Sequence, residues 1–258
     1  MRKPTPQHQL HKGTFRGRHV ELMRDVRANL LTAGTEVSAL RILSFGCSSG
    51  EECLDLADIF ESAQIYGAEI DPEARAMAAC LQGPNLQIID STEEDLLAAG
   101  PFDAIFAMNV LCLSPLTKGM INISEVYPFA IFDATVGLLN RCLRPGGFLT
   151  LYNAQYFLEA TAVGSSYVPA AQHSYRGSGW IEKCSRDGDR VAETLFHWNG
   201  KNFNWKAWDR LLKKTPEARG HKHGRYTQVW IDPQCCLDGR LDVAIWRKTN
   251  QPDDSTPR

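Results

Sequence analysis

The sequence predicts an α/β fold, a doubly wound sheet of mostly parallel strands with helices on both faces, and three observations carry that expectation. Between residues 40 and 153, short runs rich in β-branched and aromatic residues alternate with stretches of helical periodicity. Small-residue turns stand where strands pass into helices, the clearest at residues 46–50. The 258 residues are 43% hydrophobic and 22% charged, which suits one large domain with a sizeable core.

The elements follow in order. Residues 19–31 read as a helix, with Val20, Met23, Val26 and Leu30 on one face. The apolar run 40–45 reads as a strand, and Cys53, Leu56, Ala57 and Phe60 mark the helix behind its turn. A second strand, 64–70, stops at Asp71-Pro72, where proline suits a first helical turn. That helix runs to about residue 81, before a third strand at 86–90. A short acidic helix, 93–99, leads to a fourth strand, 102–109. A longer helix is expected over 124–143, its stripe being Val126, Phe129, Phe132, Val136, Leu139 and Leu143. Arg144-Pro145-Gly146-Gly147 is expected to stop it, with a fifth strand at 148–153.

The last third has another rhythm. Residues 180–198 read as a hairpin around Asp187-Gly188. Asn204 is a candidate cap for a short helix carrying Trp205, Trp208 and Leu212. Residues 226–231 and 241–246 read as closing strands, the latter antiparallel to its neighbours in a seven-stranded, Rossmann-like sheet with 40–45 central. The expected division is an N-terminal arm at 1–38, a main domain at 39–248 with a variable, substrate-side region near 154–240, and a polar, disordered tail at 249–258.

A formal charge of −2 gives no global field toward nucleic acid or membrane. No apolar run approaches the roughly 18–20 residues of a membrane span. The first 19 residues have no apolar centre of a secretory signal, and they carry Arg2, Lys3, Lys12, Arg16 and Arg18 without an acid. The eight cysteines form no C-x-x-C pair and read as reduced thiols. A cytoplasmic location is therefore expected.

Two chemistries compete at ILSFGCSSGEE. Gly46-Cys47-Ser48-Ser49-Gly50 matches the G-x-S-x-G elbow of serine hydrolases, with Ser48 as nucleophile. The elbow would come after a single strand, however, with no HGGG-like loop before it, and His197, His221 and His223 stand in no evident triad. The other reading is a turn cradling an adenosine-containing cofactor. Its companion is Glu69, at the end of the second strand and 19 residues after Gly50, where an acid grips ribose hydroxyls. The plainer role for Glu69 is a cap on the next helix. Ser48 replaces the second glycine of G-x-G-x-x-G, which argues against a pyrophosphate and so against NAD or FAD.

ILSFGCSSGEE, IYGAEIDPEA, LQIIDSTEEDL, FDAIFAMNVL and LRPGGFLTLYN resemble, in order and spacing, the successive motifs of class I S-adenosylmethionine-dependent methyltransferases over residues 41–153. CSSGEE is also similar to the first motif of chemotaxis-receptor methyltransferases, whose helical N-terminal domain has no room in 40 residues. The resemblance implies that Gly46, Cys47 and Gly50 pack against the methionine part of S-adenosyl-L-methionine. It implies that Glu69 holds the ribose and Ile70 touches the adenine. Asp90 would accept from the adenine amino group with Ser91 beside it, and Asn109 would lie near the sulfonium.

The acceptor is not identified. MNVLCLSP departs from the [DN]PP[YFW] found in many methyltransferases of planar amino groups, so a small molecule or a protein side chain is favoured over a base amine. His173, Tyr175 and His197 are candidate bases. Lys213, Lys214, Arg219, Lys222 and Arg225, near Trp205 and Trp208, make an RNA methyltransferase an alternative. His221 and His223 have no third ligand at metal spacing, so no metal is expected. A non-catalytic cofactor-binding module is the remaining reading, and no feature sets the oligomeric state.

Overall fold

Strand β1 (Arg41–Phe45) lies between β2 (Gln64–Glu69) and β4 (Phe102–Met108), parallel to both. The computed structural model describes residues 6–34, 36–174, 177–215, 226–232 and 239–250. With β3 (Leu86–Asp90), β5 (Leu143–Tyr152), β6 (Tyr167–Pro169) and β11 (Ile245–Lys248), the main sheet has seven strands in the order β3-β2-β1-β4-β5-β11-β6. The pairs among β1 to β5 are parallel, and β11 is antiparallel to both of its neighbours.

Side chains of one strand alternate between the two faces, and the core is accordingly double. Ile42, Ile65, Ala104 and Phe106 face a layer holding α1 (Val20–Thr32), through Leu22, Met23, Val26 and Leu30, and α2 (Glu51–Ile59), through Cys53 and Leu56. Leu43, Tyr66, Ile105 and Leu149 face Leu96 of α4 (Glu93–Ala99) and Phe132, Val136 and Leu139 of α5 (Phe129–Cys142). Helix α3 (Pro72–Ala79) starts at Asp71, whose carboxylate accepts from the Glu73 and Ala74 amides.

Three expectations are corrected. The long helix begins at Phe129, not near 124, because a residue preceding proline avoids the helical region and Pro128 stands at the start. Val126 is therefore exposed, off the buried stripe. Leu143, expected to end that helix, opens β5 instead. Leu143 pairs with Phe102 while Phe148 pairs with Ala104, so Arg144-Pro145-Gly146-Gly147 is a bulge within the strand. Residues 226–231 were expected to close the main sheet. They form β10 (Tyr226–Trp230), which pairs with β8 (Arg190–Trp198) in a second, antiparallel sheet that includes β7 (Lys183–Cys184) and β9 (Lys201–Phe203).

The Asp187-Gly188 turn joins β7 to β8, with the Ser185 amide donating to the Asp189 carbonyl at 2.8 Å. Asn204 caps α6 (Trp205–Lys214), its Oδ1 accepting from the Ala207 amide at 3.0 Å, a contact worth about 1 kcal/mol. Trp208 is 1% exposed and stacks on Phe196, ring centroids 5.2 Å apart, which fastens α6 to the second sheet. The strand β6 was given by no pattern in the sequence; three residues carry no readable alternation. Residues 251–258 of the expected tail lie outside the described residues.

Candidate functional site at the carboxyl ends of the strands

All five parallel strands end on the same side of the sheet, where ligands bind in open α/β folds. At that edge Gly46, Ser48, Asn109 and Asn153 all have positive φ, at 75°, 52°, 60° and 58°. Three of these are not glycine, and such backbone strain concentrates at working sites. Gly46 follows β1, and a Cβ there would meet Val110 Cγ2 at 2.4 Å, so the turn passes directly against the second residue after β4.

Glu69 ends β2 and is 7% exposed. Its Oε2 accepts from the Ser48 amide at 2.7 Å and its Oε1 from the Asp71 amide at 2.8 Å. One carboxylate thus ties the turn after β1 to the turn after β2. Helix capping falls to Asp71, not to Glu69. Each carboxylate oxygen keeps a second lone-pair direction for another donor.

Gly46, Cys47, Glu69, Ile70, Ser91 and Asn109 line one cavity at this edge. Two of the residues assigned to a ligand from the sequence do not line it. A Cβ on Gly50 would meet Leu81 Cδ1 at 2.8 Å and Ala78 Cβ at 3.2 Å, so this glycine lets α2 and α3 approach. Asp90 is ion-paired with Arg75 at 2.6 Å, and the same guanidinium nitrogen donates to the Glu69 carbonyl at 3.0 Å. The Cys47 side chain is buried; hydrogen bonding to Cys53 and burial hold its thiol well above the ordinary range.

Asn109 is the centre of a relay. The Trp180 and Ile181 amides donate to Asn153 Oδ1 at 2.6 and 3.2 Å, which orients that side chain. Asn153 Nδ2 then donates to Asn109 Oδ1 at 2.6 Å. Asn109 Nδ2 is left facing His19 Nε2 at 2.7 Å. The backbone donors thereby dictate that His19 Nε2 is an acceptor and that its ring proton sits on Nδ1. Gly179 makes room: a Cβ there would fall 2.1 Å from Asn153 Oδ1.

The N-terminal arm roofs the cavity. His8 is 2% exposed, its Nδ1 2.7 Å from the Tyr127 hydroxyl and its Nε2 2.8 Å from Thr135 Oγ1. Burial lowers its pKa to about 4. The Lys12 carbonyl accepts from Ser48 Oγ at 2.8 Å while its ammonium pairs with Asp71 at 2.7 Å. Arg16 bonds Asp55 at 2.6 Å and also reaches Asp58.

Sequence reasoning missed Arg18, His19 and Glu52, which also line this cavity. Glu52 accepts from Ser44 Oγ at 2.7 Å, and burial pushes its carboxyl up to about 7. Its place in the first turn of α2, behind the glycine turn, was the available signal. Among the expected bases, His197 bonds Asn202 and Thr227 on the second sheet and His173 is exposed; neither lines the cavity. Tyr175, Arg219, His221, Lys222, His223 and Arg225 lie outside the described residues. Ser48 Oγ bonds a carbonyl, and no histidine bond to it occurs among the described residues, which leaves the hydrolase reading unsupported. No cluster of metal-binding side chains occurs among the described residues.

Residues 43–151 match the methyltransferase domain family model. A search of curated proteins finds no match. Similar solved structures include PKMT2 from Rickettsia typhi, at 17% identity and a TM-score of 0.38, covering 57% of this chain and 26% of that one. The sugar N-methyltransferase KedS8 from Streptoalloteichus sp ATCC 53650 is similar at 22% identity and TM-score 0.35, covering 52% and 47%. An O-methyltransferase from Bacillus cereus in complex with SAH is similar at 14% identity and TM-score 0.35, covering 56% and 57%. The chain thus spans from a quarter to somewhat over half the length of these relatives.

Proposed function

We propose that the protein, whose residues 43–151 match a methyltransferase domain model, transfers a methyl group from S-adenosyl-L-methionine to a small molecule or a protein side chain. The observation that carries this reading is Glu69, a buried carboxylate with spare lone pairs, in one cavity with Gly46, Ile70, Ser91 and Asn109. That donor set fits the cofactor. A carboxylate suits the two ribose hydroxyls, Ile70 offers an apolar face to the adenine, and the turn at Gly46 brings the backbone close. Ser91, in the same cavity, would stand beside the adenine. Gly50 and Asp90 act behind this wall, through helix packing and through Arg75.

When bound, S-adenosyl-L-methionine would supply an electrophilic methyl group carried on a sulfonium, to be taken by a lone pair of the acceptor. The protein's part is placement. Holding reactants in line supplies much of the acceleration in such transfers. The strained turn at Asn109, held by Asn153 and His19, is a rigid wall for that purpose, and the arm from His8 to Arg18 excludes water. The imidazole of His19 stands beside Asn109, its Nε2 2.7 Å from Asn109 Nδ2.

Among the described residues no helix is long and apolar enough to cross a membrane. The small-molecule reading is favoured because the cavity lies under the arm. Calorimetric titration with S-adenosylhomocysteine and with NAD tests the proposal. Micromolar binding of the first alone is the expected result; binding of NAD alone defeats it.

A further inference from the structure

A second cavity adjoins the first. Its walls are Phe15, Trp180, Phe196, Trp205 and Trp208, and it shares His11, Gly13, Thr14, Phe15 and Arg18 with the cavity at the strand ends. Four of the five aromatic rings form one connected set. Trp205 stands edge-on to Trp180 at 5.3 Å and to Phe196 at 4.8 Å, and Phe196 stacks on Trp208. Lys118 also contacts Trp205, its ammonium 3.9 Å from the ring centroid and paired with Asp209 at 2.5 Å. The Trp180 backbone amide also belongs to the relay that runs through Asn153 and Asn109 to His19, which links the wall of the aromatic cavity to that of the strand-end cavity.

Two buried polar atoms in these walls, Arg18 Nε and Trp208 Nε1, lack a hydrogen-bond partner among the described residues, and both are donors. Arg18 Nη1 donates to the Gly13 carbonyl at 3.0 Å and the guanidinium carbon lies 5.5 Å from the Phe15 ring centroid, while no ion pair to a carboxylate is formed by Arg18 among the described residues. Glu52 acts on it only at longer range, and burial lowers the guanidinium pKa. A buried donor without a partner carries an unrepaid desolvation penalty. A ligand that relieves it must bring acceptor atoms, and one that fits flat indoles must bring a planar ring.

We propose that this aromatic cavity is the acceptor site of the methyltransferase reading above, on which the proposal rests, and that its occupant is a small, planar aromatic acid. The ring lies against Trp180 and Trp205, and the carboxylate pairs with Arg18 at the boundary of the two cavities. A carboxylate on a guanidinium is a charge-assisted, two-pronged contact, and it fixes the ring's orientation relative to Asn109.

The test is calorimetry on the full chain saturated with S-adenosylhomocysteine. The probes are 4-hydroxybenzoate and indole-3-carboxylate, with 4-hydroxybenzamide and cyclohexanecarboxylate as controls lacking the charge or the ring. The aromatic acids are expected to bind at least tenfold tighter than either control. Trp205→Leu is expected to weaken the aromatic acids at least tenfold while affinity for S-adenosylhomocysteine stays within threefold. Arg18→Gln is expected to erase the preference for the acid over the amide. Equal or absent binding of all four probes overturns the proposal while leaving the cofactor reading intact. Arg18→Gln weakening S-adenosylhomocysteine alone also overturns it, since the guanidinium then serves the cofactor. Failure of S-adenosylhomocysteine itself to bind overturns the underlying methyltransferase reading.

Discussion

Asn153, at the end of β5, donates its side-chain amide to Asn109 Oδ1, at the end of β4, across 2.6 Å. The two residues are 44 positions apart, and both hold positive φ, a conformation asparagine tolerates better than most residues. Their orientation descends from two backbone amides, and the last member, His19, is thereby held with Nε2 unprotonated.

Asn153→Asp tests that chain of dependence. Aspartate still accepts from Trp180 and Ile181, but it has no hydrogen to donate to Asn109. Asn109 then turns its amide toward the new carboxylate and its oxygen toward His19, whose Nε2 must carry the proton. Nitrogen-15 NMR of the imidazole is expected to show Nε2 unprotonated in the natural protein and protonated in the variant. An unchanged tautomer would mean that the relay does not govern His19.

Glu69→Gln keeps the size of the side chain and replaces one acceptor oxygen by a donor. Affinity for S-adenosylhomocysteine is expected to fall about ten- to hundredfold, the equivalent of 1.5–3 kcal/mol. Because Glu69 also accepts from Ser48 and Asp71, the melting temperature is expected to fall by a few degrees. Calorimetry and thermal melts on the same variant check both parts. A drop in melting temperature with normal affinity would confine Glu69 to the turns.

His8 makes the arm sensitive to acid. The unfolded chain binds a proton at His8 below about pH 6.5, and the folded one only below about 4. Stability from His8 is therefore complete above pH 6.5 and is lost as pH falls toward 4, by about 3 kcal/mol at 1.36 kcal/mol per unit. Protection factors in residues 6–18, corrected for the intrinsic pH dependence of amide exchange, are expected to fall at pH 5 relative to pH 8, ahead of those in the central strands. Equal protection at both values would show that the burial of His8 does not hold the arm.

Glu52 acts in the opposite sense. Its carboxyl titrates near 7 when folded and at 4.5 in the reference state. The folded state therefore binds the extra proton between these values, and stability falls as pH rises through that window. Glu52→Gln keeps a partner for Ser44 and removes the ionisation. Its melting temperature relative to the natural protein is expected to rise as pH increases from 4.5 to 7, by up to about 3 kcal/mol in stability. A pH-independent difference would place the Glu52 carboxyl in solvent contact.

Local pattern was sufficient for much of the fold. The short helix at Glu93–Ala99, the Asn204 cap and the Asp187-Gly188 hairpin were legible because each depends on neighbours within a few residues. Where Pro128 and Arg144-Pro145-Gly146-Gly147 fell inside a periodic stretch, periodicity prevailed in the reading while backbone sterics prevailed in the molecule. Gly50 and Asp90 show the same limit at the site: spacing located the strand ends but not which side chains face the cavity.

The sequence by itself determined the alternation of strands and helices, the central place of Arg41–Phe45, and the arrival of Gly46, Glu69 and Asn109 at one edge. Those follow from periodicities of two and about 3.6 residues and from the common direction of parallel strands. Tertiary structure alone decided that His8 reaches Tyr127 and Thr135, that Asn153 orients Asn109 and His19, and that Trp180, Phe196 and Trp205 wall a cavity against Arg18. Each of those contacts joins segments tens of residues apart. Their meeting depends on how whole elements pack, which no local period in the chain encodes.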